Sequence, residues 1–536
     1  MKIKLFVLLL WLNGALMGQQ DTFSIEIEPI QIENMPGLHS GAVATINNRW
    51  IFIGGRTNGL HGFLSPFAFP NDNKNIFAYV VDKSTGEIWS SSLENFPVNL
   101  YEPLTSSNIP FYQDGNILYM IGGYGWSDAA NNFKTFSTLT KIDLVCLHDA
   151  IIAESALEYC FEQIEDPALA VCGASLKKLN NRFYLVFGHR FDGIYSVLNP
   201  GNSIFTQQYS NAVKSFEIDA TTLGISNLRV QQDSINFHRR DYNLVPQVFP
   251  DRSEGLTGFS GVFQYQSNIP YLNTINITED TAVVAPNFDQ HLSQYHSAVM
   301  PVYDSTFIVM HTFFFGGMSR FTIDSQTQTL VDDTLVPFVK TISCVSRFAD
   351  GTIEEKQLGI SFPDFLGSNM EFIPVENLPL TSNKVIKVNR LTEQRTLAGY
   401  LVGGIKSPEA NISATAPASS EANTSIYEVY IVRNAADSGT VSLKDVKNQP
   451  SLSSFQCFPN PAVNSTQFKL QLTKKSQVEI AAYDRAGRFI QRICNKKMQA
   501  GEQIVSWNVE NIPTGTYIVK SRVDGVTKSI SVLVNP

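Results

Sequence analysis

The chain has 536 residues, a net charge of −9 and 43% hydrophobic residues, with 36 Phe and 19 Tyr. That apolar content supports a large core and excludes global disorder. The mild acidity, with no long basic run, excludes a nucleic-acid partner, and the length exceeds one ordinary domain.

Residues 1–18 read as a secretory signal peptide. Lys2 and Lys4 give a positive start, Leu5 to Leu12 is apolar, and Gly14, Ala15 and Gly18 are small residues near a cut after Ala15 or Gly18. The apolar run is shorter than the ~20 residues of a bilayer span. No later segment is more apolar, so no transmembrane segment is expected in the mature chain.

The organising signal is a repeat of short strands separated by Gly and Asn turns. His39-Ser40-Gly41-Ala42-Val43 opens a first copy. Arg49 to Gly54-Gly55, Ile76 to Asp82 and Glu87-Ile88-Trp89 complete it. Asn116 to Gly122-Gly123 and Leu139 to Asp143 belong to a second copy, and Arg182 to Gly188-His189 to a third that lacks the doublet. Tyr242 to Phe249 with Gly258 to Phe263 is a degenerate fourth. His296-Ser297-Ala298-Val299 with Gly316-Gly317 marks a fifth, and Leu397 to Gly403-Gly404 with Ile426 to Val432 a sixth.

The "HS(A)V" openings, the apolar runs ending in Gly-Gly and the Asp…Trp ending of the first copy resemble the kelch repeat over about residues 23–432. The spacing of about 55–90 residues is longer than the ~50 of that family. The resemblance implies an all-β fold with a six-bladed kelch-like β-propeller. A ring needs closing, and the alternating stretch Phe23 to Ile30 is expected to supply the missing outer strand of the sixth blade. Residues 145–167 interrupt the pattern, and Ala150 to Glu158 has helix formers at helical spacing, so a short helical insert is expected there.

Residues 433–454 are polar and read as a linker, and residues 411–425 as a loop. Residues 455–536 carry several alternating strands in about 80 residues, as in a small Ig-like β-sandwich. Phe458-Pro459-Asn460-Pro461-Ala462, Tyr483-Asp484-Arg485-Ala486-Gly487-Arg488 and Pro513-Thr514-Gly515-Thr516-Tyr517 occur in that order at the end of the chain. They resemble the type A C-terminal sorting domain of the type IX secretion system. The resemblance implies export through the periplasm to the outer-membrane surface or the exterior, with the secretion machinery as partner. Pro459, Asn460, Pro461, Gly487, Gly515 and Tyr517 stand as the sorting-motif residues.

Six cysteines allow 15 pairings, among which sequence does not choose. Proximity nominates Cys457 with Cys494 in the C-terminal module, and two of Cys146, Cys160 and Cys172 around the insert. No C-x-x-C, G-x-S-x-G, H-E-x-x-H or P-loop occurs, so no catalytic residue, metal or cofactor is assigned.

In a four-stranded blade, the entry to the first strand and the exit from the second lie on one face. Residues flanking those points therefore converge on the channel mouth. They include His39, Arg56, Tyr101, Trp126, His189, Arg190, Arg239, Arg240, Asp241 and His296. Arg pairs with carboxylates in bidentate fashion, which suits an anionic ligand such as an acidic sugar. The bland alternative is that the two kelch-position histidines, His39 and His296, and the Arg239–Asp241 run only brace the blades. The leading expectation is a monomeric, non-enzymatic binding protein for a glycan or protein ligand. A carbohydrate-active enzyme at the channel mouth is the alternative.

Overall fold

In a computed structural model describing residues 23–62, 68–195, 205–324, 326–327, 329–412, 419–433, 452–472, 474–484, 488–523 and 526–535, each copy of the repeat forms an antiparallel sheet. The expected signal peptide, most of the expected linker and Gly487 lie outside the described residues. In the first sheet Ala42–Ile46, Arg49–Ile53, Phe77–Asp82 and Ile88–Ser92 pair in chain order. Asn47 and Asn48, at φ 51° and 63°, make its two-residue turn; asparagine tolerates this left-handed conformation, which matches the strand twist.

The meander recurs from Phe111–Asp114 to Phe161–Glu165, from Ser175–Leu179 to Ile225–Gln232, from Asn243–Val248 to Ala282–Val284 and from Ala298–Asp304 to Ile353–Ser361. The sixth sheet takes Phe365–Pro374, Arg395–Ser407 and Ile426–Arg433 from the end of the repeat region. Its outer strand is Phe23–Ile30, in antiparallel register from Phe23↔Arg433 to Ile30↔Ile426. Phe23 and Ile25 are buried on its inner side.

Apolar clusters join neighbouring sheets in a cycle. Ile53 with Met120 joins the first and second, Ile121 with Leu185 the second and third, and Val186 with Leu256 the third and fourth. Phe259 with Phe314 joins the fourth and fifth, Phe313 with Leu401 the fifth and sixth, and Trp50 with Tyr400 the sixth and first. Each sheet buries both faces only because it has a neighbour on each side.

The second strand of five of these six sheets ends in two consecutive left-handed residues, and in the sixth, Arg395–Ser407, such a pair lies near its end. Four pairs are Gly-Gly: Gly54-Gly55, Gly122-Gly123, Gly316-Gly317 and Gly403-Gly404. The third and fourth sheets, where the sequence shows no doublet, keep the geometry with Phe187-Gly188 (φ 52° and 79°) and Ser260-Gly261 (φ 57° and 97°). Phe187 accepts the strain of about 1 kcal/mol and buries its ring. Glycine holds every second position because the chain passes very close there; a Cβ at Gly55 would lie 2.3 Å from the His39 carbonyl oxygen.

The insert differs from its expected bounds. The helix is Leu144–Ile152, starting before Ala150 because the Asp143 side chain accepts from the backbone N–H of Val145 and Cys146. Phe161–Glu165, inside the expected insert, is the outer strand of the second sheet. A disulfide joins Cys146 to Cys160, so Cys172 is not part of it.

The chain divides at Asn434/Ala435 into two units. The second has one three-stranded and one four-stranded antiparallel sheet around Phe468, Ile480, Trp507 and Tyr517.

Candidate functional site

A residue two or three positions before the first strand of five sheets, and Asn369 within that of the sixth, is also left-handed. Ser40, Asn108, Gly173, Asp241, His296 and Asn369 have φ of 60°, 55°, 62°, 50°, 55° and 58°. Backbone hydrogen bonds pass from one to the next: Asn108 N–H to Ser40 O (2.8 Å), Gly173 to Asn108 (3.0 Å), Asp241 to Gly173 (3.0 Å), and Asn369 to His296 (2.6 Å). The Ser40 hydroxyl donates to Asn369 Oδ1 at 2.8 Å. These residues form a polar ring, with a cavity of about 710 Å³ on one side.

All six residues that follow the left-handed pairs line this cavity: Arg56, Tyr124, His189, Val262, Met318 and Ile405. Short bridges hold them to the strand entries, as in His39↔Arg56, Cys172↔His189 and Arg240↔Val262. Their convergence therefore follows from repeat position.

Of the sequence-nominated residues, His39, Arg56, His189, Arg240, Asp241 and His296 meet in this cavity. Trp126, Arg190 and Arg239 do not. Trp126 donates from Nε1 to Asp128 Oδ1 (2.8 Å) and packs edge-on against Phe133. Arg190 follows His189 on a strand, so its side chain leaves by the opposite face, where it pairs with Asp192 at 2.7 Å. Arg239 is wholly buried; it donates to the carbonyls of Asn236 and Ser260 and lies 3.9 Å over the Tyr271 ring. Tyr101 sits in the helix Val98–Leu104 beneath the Lys74 ammonium. Arg239 ties two loops together within the run Arg239–Asp241, and Asp241 also joins the third sheet through its backbone N–H to Gly173 O.

His61, Phe69 and Tyr195 also line the cavity, and sequence reasoning missed them. They lie in connections between second and third strands, where no repeat element marks them. The unusual length of those connections was the available signal. The His61 ring stacks on Phe69 at 4.3 Å and meets Tyr195 edge-on at 4.8 Å.

The imidazoles are held neutral. Burial, followed by the nearby Arg56 charge, pushes His39 down to about 3; its Nε2 is 2.9 Å from the Asn58 carbonyl oxygen and carries the proton. Burial and Arg240 push His189 down to about 3, and Gln207 donates to its Nδ1 at 2.7 Å. Burial takes His61 to about 4 and lowers His296 as well. Burial works against charge on Asp241, but the Arg240 guanidinium overcomes it and holds the carboxyl below its usual range. Arg240 Nη1 bonds Asp241 Oδ2, while Arg240 Nε and Asp241 Oδ1 are buried without a hydrogen-bond partner. Arg56 uses Nε on Asn58 Oδ1 (3.1 Å) and Nη2 on the Pro70 carbonyl (2.7 Å). Burial lifts the Cys172 thiol to about 12, so it is no nucleophile. No cluster of three or more potential metal ligands occurs among the described residues.

In the second unit Asn460 clamps the last strand, donating to the Ser531 carbonyl (2.8 Å) and accepting from Leu533 N–H (2.9 Å). Pro459 and Pro461 each follow a cis peptide bond beside it. Tyr517 is buried against Trp507 and donates to the Pro513 carbonyl, just before Gly515. Residues 456–535 match the family described as "Secretion system C-terminal sorting domain". The second unit is a sorting domain. The sorting domain marks the chain for type IX export to the cell surface or the extracellular space. It contains no disulfide between Cys457 and Cys494. They lie in different sheets, and each thiol is engaged within its own, Cys457 with Thr466 Oγ1 (2.9 Å) and Cys494 with the Val478 carbonyl (4.0 Å).

No curated protein matches the chain in sequence. Among solved structures it is similar to one titled "Structure of YjhT", at 10% identity and a TM-score of 0.41, covering 75% of this chain and 96% of the other. It is also similar to sucrose-6-phosphate hydrolase from Lactobacillus gasseri, at 8% identity and a TM-score of 0.28, covering 93% and 88%. No helix among the described residues is long and apolar enough to cross a membrane.

Proposed function

We propose that the chain is an exported binding protein. In this reading its first unit, residues 19–432, is a six-bladed kelch-like β-propeller that holds an acidic sugar unit of a glycan over the polar ring, and its sorting domain is an Ig-like sandwich. The observation that carries the reading is the presence of two guanidiniums, Arg56 and Arg240, in one aromatic-lined cavity. Arg56 Nη1 has no protein partner among the described residues, and Arg240 faces the same cavity with one nitrogen bonded to Asp241. A ligand carboxylate would accept from Arg56 Nη1 beside the Arg240 charge, and Tyr195 is a partly exposed aromatic side chain in the same cavity for a sugar to pack on.

Binding is favoured over glycan cleavage. Acid–base catalysis works best with groups that titrate near the working pH. Here Asp241 is paired with Arg240, Glu409 is an exposed rim residue, and His39, His61 and His189 titrate at about 3 to 4. The test is retention of uronic-acid oligosaccharides by the purified mature chain, with products assayed in parallel. Retention without products, weakened about tenfold or more in Arg56→Ala and Arg240→Ala, is the expected result. New reducing ends or unsaturated sugars would make the cavity an active site, and no retention would sink the acidic-sugar reading.

A further inference from the structure

The cavity wall changes character around the ring. The arc from the first to the fourth sheet carries Arg56, His61, His189 and Arg240. The fifth and sixth sheets contribute a run of apolar side chains, Met318, Val336, Phe338, Ile405 and Ile412, among polar ones that include His296 and Glu409. Polar groups remain on that second arc, with Thr334 and Glu409 at its exposed rim, but several of those deeper in are spent on protein partners. Tyr295 turns its hydroxyl onto Met318 Sδ at 3.5 Å, and Asn369 Oδ1 accepts from Ser40 at 2.8 Å. Asn411 Nδ2 donates to Asp333 Oδ2 at 2.9 Å, and the nearest acid to His296 Nδ1 is Asp241 of the fourth sheet, 3.9 Å away. A plain sugar seated on Arg56 and Arg240 would turn some hydroxyls toward the Met318, Val336 and Ile405 side chains, which offer them no partner and make their burial unfavourable.

The arc is also held firmly. Phe338 N–H donates to the Ala410 carbonyl (2.9 Å), tying the two loops that form it, and Val339 N–H donates to the Gly317 carbonyl (3.0 Å). In the cyclic order of sheets it lies between the two guanidiniums, because Arg56 belongs to the first sheet and Arg240 to the fourth.

Resting on the acidic-sugar reading, we propose that the ligand is amphipathic: an anionic sugar whose carboxylate meets Arg56 and Arg240 and which carries an apolar aglycone or acyl group seated on Met318, Val336, Phe338 and Ile405. Methyl and phenyl β-glucuronide test this, since they share one charge and one sugar ring and differ only in apolar area. Calorimetric titration of the mature full-length chain should show the phenyl glycoside binding about tenfold or more tighter, the gain expected from burying most of one ring. Met318→Gln should cut that ratio several-fold, and Val336→Thr gives a milder second variant. Equal affinities for the two glycosides in the wild-type chain would overturn the amphipathic assignment while leaving the acidic-sugar site standing. If neither glycoside binds, the acidic-sugar reading falls and takes this inference with it.

Discussion

Arg239 and Arg240 are consecutive, yet their side chains serve different ends. Arg239 ties together carbonyls of two loops and has no exposure, whereas Arg240 faces the cavity with Asp241. Arg239→Ala should therefore lower stability by more than about 2 kcal/mol in urea unfolding, because it orphans buried acceptors. Arg190→Ala, on the outer face, should stay within about 0.5 kcal/mol. The histidines give a pH signature. A folded-state value below the unfolded ~6.5 means that the stabilising contribution is complete above pH 6.5 and is lost as pH falls toward the folded value. His189, with a folded value of about 3, should steepen acid destabilisation below pH 6.5 by up to about 1.4 kcal/mol per pH unit. Burial raises Glu355 and Glu371 to about 7, and these act in the opposite direction between about pH 4.5 and 7. The measurement is thus the difference between wild type and His189→Gln across pH 7 to 4, where the variant should show the flatter profile.

At the scale of single elements, the left-handed pair is the device that builds both sheet and site. It ends the second strand, brings the chain close to the strand entry, and delivers the next side chain into the cavity. At Gly316 a Cβ would lie 1.9 Å from the Leu366 carbonyl oxygen, whereas at Gly86, also left-handed, it would meet nothing within 4 Å. Gly86→Ala should cost about 1 kcal/mol for the backbone conformation alone. Gly316→Ala should cost clearly more in the same unfolding measurement, since the neighbouring sheet must shift. The helix in the second sheet depends on a cap and a staple. The Cys146–Cys160 link closes a loop with a sequence separation of 14, so Cys146→Ser should cost about 3 kcal/mol.

At the scale of the whole molecule, the first unit is a cycle closed by a strand distant in sequence. Ile25→Asp places a charge in the cluster shared by the fifth and sixth sheets and should lower the unfolding midpoint of this unit and broaden its transition. The address lies in the other unit. Truncation before residue 452 should leave ligand retention by the purified first unit unchanged while abolishing appearance of the chain outside the cell; continued export of the truncated chain would contradict the role of the sorting domain.

The sequence by itself determined the strand repeat, the need for a closing strand and the C-terminal sorting signal. These are local or periodic features: alternating side chains, Gly-Gly at strand ends, and three ordered motifs. It also marked the strand entries and exits, with His39, Arg56, His189 and Arg240 among the residues flanking them, because those positions are fixed by the repeat. Only the tertiary structure decided which flanking residues turn inward. Side chains alternate along a strand, so His189 faces the cavity while Arg190 does not, and a run such as Arg239-Arg240-Asp241 shows no such alternation before it is folded. The equivalence of Phe187-Gly188 and Ser260-Gly261 to Gly-Gly was hidden for a related reason: backbone conformation is what the fold demands, and a residue other than glycine can meet it where packing offsets the strain. His61, Phe69 and Tyr195 reach the site from connections whose course is set by the sheets around them, and the pairing of Cys146 with Cys160 depends on the distance between two backbones that no spacing in sequence specifies.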